Sequence, residues 1–151
     1  MLAKLTLLAA TAYPQIGGLD YPLEVSTAYV FNTNRIRSAI AYDTTDVELE
    51  YVFEPDSRRA SYAIFRVDGT IASLVTTCDT ALDDTLIALS VIVDYEGTTV
   101  TQTRYFNAND IIICNEYDTN KTRVDLSMGG ASVKSYTVTE DLDEIIALVT
   151  A

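Results

Sequence analysis

The sequence repeats itself, and this repeat limits the possible folds more than any other feature. Residues 31–44 align without a gap with residues 106–119, and seven of the fourteen positions are identical. The likeness continues upstream, where "LAKLTLLAA" matches "LIALSVIVD", and downstream, where "VEL" matches "VDL". Because order and polarity pattern persist over a whole half, they indicate a copied domain rather than a reused motif. The chain is therefore predicted to contain two tandem copies, 1–80 and 81–151.

Each copy is predicted to be a small antiparallel β domain, so the expected fold class is mainly β (α+β). β-Branched and aromatic residues dominate segments such as "VELEYVF", "SYAIFRV" and "TRVDLSM", and several of them alternate with period two. Turn sequences separate these segments: "YDTTD" and "YDTNK" occupy the same place in the two copies, and "DYEGTT" and "SMGGAS" carry hairpin glycines. This pattern favours packing of the β-sandwich type.

A change to helical period marks the end of each copy. In the second copy it predicts a helix over 141–149, with Asp141 and Glu144 at capping-box spacing. The apolar face of this helix comprises Leu142, Ile145, Ile146 and Val149. The first copy repeats the pattern more weakly, with Asp68 as the predicted cap. Its apolar face comprises Ile71, Leu74 and Val75.

Charge and composition exclude several classes of protein. The formal net charge is −12 and no histidine is present, so attraction to nucleic acid phosphates is opposed. No stretch approaches the roughly 18 to 20 apolar residues that span a bilayer. The apolar start, "MLAKLTLLAATA", contains only a short apolar core interrupted by lysine, which does not fit a secretory signal. The sequence thus predicts no nucleic acid partner, no membrane partner and synthesis in a cytoplasm.

The sequence predicts no catalytic, cofactor-binding or metal-binding residues, and hence a protein that is not an enzyme. The lack of histidine removes the commonest general base and every Ser-His or Cys-His arrangement. No glycine-rich phosphate loop is present. Asp83 and Asp84 are interpreted as a cap or turn at the seam between copies. Cys78 and Cys114 lack metal-site spacing and are predicted to be buried apolar side chains.

Three other groups of residues allow a functional interpretation, but a structural one is favoured for each. The acidic turns could offer oxygen ligands to calcium, although their spacing does not match the twelve-residue calcium loop; these residues are Asp43, Asp46, Asp118 and Asn120. The recurring asparagines could bind a ligand, although Asn commonly forms side-chain turns; these residues are Asn32, Asn34, Asn107 and Asn109. Arg58 and Arg59 resemble a phosphorylation motif, but a solvated loop or a contact to an acidic neighbour explains them more simply.

The chain also resembles a class of viral proteins. The cadence "LTLLAAT…FNTNRIRSA…YTVTEDLDEIIAL" is similar to that of short virion or head-module proteins of tailed bacteriophages that infect Bacteroidetes, including crAss-like phages. The resemblance covers both copies and carries no functional residues over. It implies an accessory structural protein, either a capsid auxiliary (decoration) protein or a neck component.

The predicted function is therefore non-enzymatic. A capsid auxiliary protein would bridge or stabilise major capsid subunits at the outer surface of the virion, where the negative charge avoids the packaged DNA. Its partners would be the major capsid protein or other virion proteins, with a homo-oligomer possible within the particle. The alternatives are a neck or head–tail connector component and a small-ligand or carbohydrate binding module with two equivalent sites.

Overall fold

The computed structural model describes residues 2–10, 15–16, 19–20, 26–53, 62–79, 86–130 and 132–150. Up to residue 79 its elements are β1 (Leu2–Ala10), β2 (Gln15–Ile16), β3 (Leu19–Asp20), β4 (Thr27–Asn32), β5 (Ile36–Ala41), β6 (Asp46–Val52), β7 (Tyr62–Asp68) and α1 (Ile71–Asp79). From residue 86 they are β8 (Leu86–Tyr95), β9 (Thr98–Asn107), β10 (Ile111–Asp118), β11 (Lys121–Ser127), β12 (Val133–Val138) and α2 (Leu142–Thr150). The predicted boundary between residues 80 and 81 lies outside the described residues.

Ten of these strands form one antiparallel sheet in the order β10-β11-β12-β8-β9-β5-β6-β7-β1-β4, and β2 pairs with β3 separately. The order repeats the sequence pattern. Across the sheet, the five strands of each half follow the same order: third, fourth, fifth, first and second. These strands are β10, β11, β12, β8 and β9 in the second half, and β5, β6, β7, β1 and β4 in the first. β9 of the second half pairs with β5 of the first and joins the two rows. The mainly β, antiparallel prediction is confirmed, and the high strand content is compatible with the expected β-sandwich packing.

Each row of five strands curls, because a single 3-10 turn connects its two outer strands. Residues Thr33–Arg35 link β4 to β5, and residues Ala108–Asp110 link β9 to β10. Five flat strands would place the outer two about 19 Å apart, whereas three 3-10 residues rise only about 6 Å. The curl brings Asn32 close to β6, where its backbone N–H donates to the Tyr51 hydroxyl at 3.1 Å.

The asparagines at these two turns have the same structural role. The Asn32 side chain accepts a hydrogen bond from the Asn34 backbone N–H at 3.1 Å, and the Asn107 side chain accepts one from the Asn109 N–H at the same distance. Their φ angles, −82° and −71°, are ordinary extended values. The prediction of side-chain turns is confirmed. The left-handed backbone that Asn tolerates is not used at either position.

Two hydrophobic clusters lie on opposite faces of the continuous sheet. The first is centred on Leu49 and Phe65, and the second on Leu89 and Leu126. β9 serves both, because its side chains alternate in direction. Tyr105 packs against the first cluster, whereas the next residue, Phe106, is buried in the second. Adjacent residues of β8 divide in the same way, with Leu86 in the first cluster and Ile87 in the second.

The helices follow the predicted pattern with one correction. In α2 the capping box is confirmed: Asp141 N–H donates to Glu144 Oε2 at 2.9 Å, and Glu144 N–H donates to Asp141 Oδ1 at 2.8 Å. The prediction that Asp68 caps α1 is wrong, since Asp68 is the last residue of β7. Thr70 takes that role, and its Oγ1 accepts from the Ser73 N–H at 3.1 Å. Gly69, at φ +134°, separates strand from helix with a conformation that favours glycine.

Candidate interaction surfaces at the junction and sheet edges

The junction between β5 and β9 is short and rich in polar contacts. Ser38 pairs with Phe106 and Ala39 with Tyr105. The buried Asn107 side chain donates to the Ile36 carbonyl at 3.2 Å. Backbone pairing and specific side-chain contacts therefore join the two halves at this junction.

An ion pair closes the junction beside the 3-10 turn of the second half. Arg37 Nη1 lies 2.6 Å from Asp110 Oδ2, and both side chains are largely buried. Arg37 Nη1 also donates to the Asn34 carbonyl at 3.1 Å. Partial burial strengthens this attraction relative to a surface pair and makes the loss of either partner costly.

A second polar cluster surrounds Glu50, whose side chain on β6 is buried. Its Oε1 accepts hydrogen bonds from three side chains of the second half: Arg104 Nη1 at 3.2 Å, Lys134 Nζ at 2.7 Å and the Tyr136 hydroxyl. Arg104 also donates to the Ser38 hydroxyl at 2.9 Å. One carboxylate of the first half thus binds two cations and a phenol of the second.

The Glu50 carboxylate changes the titration of its partners. Burial, together with the Glu50 charge and hydrogen bond, raises the pKa of Tyr136 to about 12. Partial burial alone would lower the pKa of Lys134, but the hydrogen bond and charge of Glu50 outweigh it and raise that pKa overall. Tyr136 therefore stays protonated and Lys134 charged over the ordinary pH range, which keeps this contact between the halves intact.

The two ends of the sheet lack such a partner strand among the described residues. At one end β10 is the equivalent of β5, and a shift of 75 residues aligns Ile112 with Arg37 and Ile113 with Ser38. Arg37 and Ser38 are buried at the junction, where they contact Asp110 and Arg104, whereas Ile112 and Ile113 are 57% and 58% exposed. Natural edge strands are usually protected by charge or proline, so two adjacent exposed isoleucines there indicate an interaction surface.

At the other end β4 is the equivalent of β9, and its Val30 corresponds to Tyr105. Tyr105 packs against the first hydrophobic cluster across the junction. Val30 is 64% exposed, while the following residue, Phe31, is buried in the cluster of its own half. The outward position on β4 thus carries an apolar side chain that contacts no second core.

The two helices differ in exposure as the two strands do, since the apolar residues of α2 are more exposed than those of α1. α1 contacts β5 of its own half and β8 of the other half, and its Leu74 and Cys78 are buried. α2 contacts β8 and β10 of its own half, and among its apolar residues Ile145 is buried. Leu142, Ile146, Leu148 and Val149 are exposed to between 37% and 59%. An apolar groove of about 340 Å³ lies between α2 and β10, lined by Ala108, Ile111, Ile145, Ile146, Val149 and Thr150.

The acidic turns are explained by their own backbones. Asp43 Oδ1 accepts from the Thr45 and Asp46 N–H groups, both at 2.8 Å, and the Thr45 N–H bond is the main cause that lowers the pKa of Asp43. Asp118 Oδ1 accepts from the Thr119 N–H at 2.8 Å. Asn120 is in the left-handed region at φ +54°. Within the described part of the chain, no group of three or more Cys, Asp or Glu side chains could hold a metal ion.

The remaining candidates have different outcomes. Cys78 is buried as predicted, but Cys114 is only half-buried, because it lies on the edge strand β10. Burial and the nearby Asp125 raise the pKa of the Cys114 thiol. The paired residues Asp83 and Asp84, and likewise Arg58 and Arg59, lie outside the described residues.

The outer face of the second half carries a polar groove of about 510 Å³, lined by Asn115, Tyr117, Arg123, Ser135 and Thr137. The first half does not repeat this lining, since Asn115 corresponds to Ile40 and Arg123 to Asp46. A binding module with two equivalent sites would need matched linings. The groove therefore gives no support to that alternative.

Sequence reasoning missed the Ile112–Ile113 edge and the Glu50 cluster. A signal for the first was present, because "IRSA" of the first copy corresponds to "IIIC" of the second. The second half thus has apolar residues where the first half has polar ones, at positions that the shared strand pattern places on the same faces. No comparable signal marked Glu50, whose partners lie 54 to 86 residues away in sequence.

Comparisons with known proteins identify no relative. No protein-family model matches the chain, and no curated protein or solved structure is significantly similar to it. Neither described helix is long and apolar enough to cross a membrane.

Proposed function

We propose that this chain is a non-enzymatic structural protein of a virion, built from two tandem copies of one β domain. The observation that carries the proposal is the exposed apolar edge at Ile112 and Ile113 of β10. The equivalent edge in the first half, on β5, is paired with β9. A sheet edge adds a strand from a partner through main-chain hydrogen bonds, while alternate side chains provide specificity. The protein acts by joining other protein subunits.

The leading role is that of a capsid auxiliary protein that bridges or stabilises major capsid subunits on the virion surface. The resemblance to short phage head-module proteins supports it, as does the net charge of −12, which suits a surface away from packaged DNA. Two linked copies can engage two neighbouring lattice positions, and the second contact then benefits from a raised effective concentration.

The neck of the particle, as part of the head–tail connector, is a second location that a specific observation favours. The exposed edges on β4 and β10 are different surfaces of one chain. Contacts between unlike surfaces generate closed rings when the rotation closes. A ring below the portal would use that geometry.

Quantitative mass spectrometry of purified virions tests the proposal by counting this chain against the major capsid protein. A ratio of one per capsid subunit, or a simple lattice fraction of it, is expected for the auxiliary role. A ring at the neck predicts on the order of ten copies per particle. Absence of the chain from purified particles would overturn both.

A further inference from the structure

We infer that the chain associates head to tail with further copies of itself, the β4 edge of one copy pairing with the β10 edge of the next. The inference concerns the partner of these edges and holds whether or not the proposed virion role is correct. Its basis is that the chain already contains this interface once, as the junction between β9 and β5.

The internal junction supplies the register. Ala39 pairs with Tyr105 there, and Ser38 with Phe106. In the alignment of the two halves, which are offset by 75 residues, Ala39 corresponds to Cys114 and Tyr105 corresponds to Val30. In the same way, the second pair corresponds to Ile113 and Phe31. Cys114 of one copy would therefore lie opposite Val30 of the next, in an antiparallel pair.

The side chains at these positions fit the interface. Val30, 64% exposed in the single chain, would turn toward the second hydrophobic cluster of the neighbouring copy, as Tyr105 turns toward the first. Ile113 would be covered by the added strand, as Ser38 is. Apolar surface exposed on both partners would leave water, which favours association.

The backbone contacts also have equivalents. The Asn107 side chain donates to the Ile36 carbonyl across the internal junction. Both residues recur in the other copy of the repeat, as Asn32 and Ile111. The Asn32 amide would therefore donate to the Ile111 carbonyl of the neighbouring copy.

The exposed surface of α2 points to the same partner independently. Across the internal junction, α1 is covered by β8, and Leu86 of that strand belongs to the first cluster with Cys78. The strand equivalent to β8 is β1, which pairs with β4. When β4 of a neighbouring copy pairs with β10, its β1 comes to lie beside α2 as β8 lies beside α1. This would cover the groove lined by Ile146 and Val149.

Charge is compatible with this arrangement and argues against β10 pairing with itself. The β10 strand carries the exposed Glu116 and Asp118, whereas β4 is flanked by Lys4 and Arg35. Two β10 edges would bring like charges together, which is unfavourable. The β4 edge brings opposite ones.

Light scattering coupled to size-exclusion chromatography tests the inference on the purified full chain. The wild-type mass should rise with concentration from that of one chain, 16.6 kDa, to species of more than two chains. Ile113→Lys and Val30→Lys should each remain at the mass of one chain. An equimolar mixture of the two variants should give two chains and no more, since each supplies the edge that the other lacks.

Tyr95→Lys is the matched control, because this exposed residue lies in the β8–β9 hairpin away from both edges. It should associate like the wild type. A wild-type chain that keeps the mass of one chain at all concentrations overturns the inference, and so does either edge variant that assembles alone as the wild type does. A mixture that stays at one chain has the same consequence.

Cross-linking keeps the test decisive should a lysine variant unfold. Directly opposite strand residues have Cα atoms about 4.5 to 5.5 Å apart, which suits a disulfide. Val30→Cys, oxidised by air with a copper catalyst, should form intermolecular disulfides with native Cys114, and Cys114→Ser should abolish them. Ala28→Cys, expected opposite Glu116, should not link to Cys114. A link formed within one chain, or equal linking from positions 28 and 30, would overturn the proposed register.

Discussion

β5 and β10 each follow a 3-10 turn, and the two turns are equivalent. The two strands have related sequences, and each pairs with the next strand of its own half. They differ on the other side, where β9 covers β5 and no described strand covers β10. The covered strand has Arg37 and Ser38 at positions where the uncovered strand has Ile112 and Ile113. The strand that is paired within the chain thus carries polar residues that meet partners in the other half, as Ser38 meets Arg104. The strand with no described neighbour carries exposed apolar residues at the aligned positions.

The largest expected effect is on the junction between the halves, which should be destabilised by removal of the Glu50 carboxylate. Glu50→Ala leaves Arg104 and Lys134 without their shared carboxylate between the two halves. Loss of one member of a buried ion pair costs about 3 to 5 kcal/mol. Because Arg104 and Lys134 are 15% and 38% exposed, water can partly solvate them, and we expect a loss near the lower end of this range. Urea denaturation should show this loss in the free energy of unfolding.

Asp94→Ala is the matched control, since it also removes a carboxylate from a strand but at an exposed site. Its effect should stay within about 0.5 kcal/mol. Equal effects of the two substitutions would show that the Glu50 cluster does not hold the halves together.

The helices provide the next comparison, because Leu74 and Leu148 occupy aligned positions in the two halves of the sequence. Leu74 is 4% exposed and Leu148 is 39% exposed. Leu74→Ala should destabilise the chain by about 3 kcal/mol, through lost burial and a residual cavity. Leu148→Ala should cost less than about 1 kcal/mol when measured at concentrations where the chain is monomeric.

Thermal or urea denaturation of both leucine variants checks this difference. If Leu148→Ala proved as costly as Leu74→Ala in the monomer, the exposed surface of α2 would be part of the folded core. The contrast between the covered and uncovered helices would then be lost.

The smallest effect concerns Tyr136 and appears only at alkaline pH. Its pKa is raised to about 12, so the unfolded chain loses this proton at lower pH than the folded chain does. The resulting stabilisation is fully present below about pH 10 and is lost as the pH rises through about 12. Tyr136→Phe should make the decline in stability over this range shallower.

Urea midpoints of the wild type and of Tyr136→Phe, measured between pH 8 and about pH 11.5, check this slope. Tyr95→Phe serves as the control, because it removes the same hydroxyl group from an exposed site. A Tyr136→Phe slope identical to the wild-type slope would contradict the raised pKa.

Local features of this fold could be predicted from the sequence because their causes are local. The Asn32 and Asn107 turns, the Asp141–Glu144 capping box and most strands depend on residues within a few positions of each other. The failure at Asp68 is also local. Thr70 competes for the cap, and Gly69 provides the bend that carries the chain from strand to helix.

The arrangement between the halves could not be predicted, because it depends on contacts between distant residues. Alternation in "VELEYVF" turns Glu50 away from the core of its own half, which suggests solvent exposure. The second half instead covers this face with Lys134 and Tyr136. Which edge strand pairs with which was likewise undetermined, since both halves of the chain contain the same five-strand pattern.

The division of β8 and β9 between two clusters affects how the chain folds during synthesis. Leu86 and Tyr105 help to enclose the first cluster, although they follow α1, the helix of the first half, in sequence. At roughly 5 to 20 residues per second, the ribosome releases these residues seconds after that helix. We therefore expect the hydrophobic core of the first half to remain incompletely packed during synthesis. It should be completed only when the β8–β9 hairpin has been synthesised and packs against it.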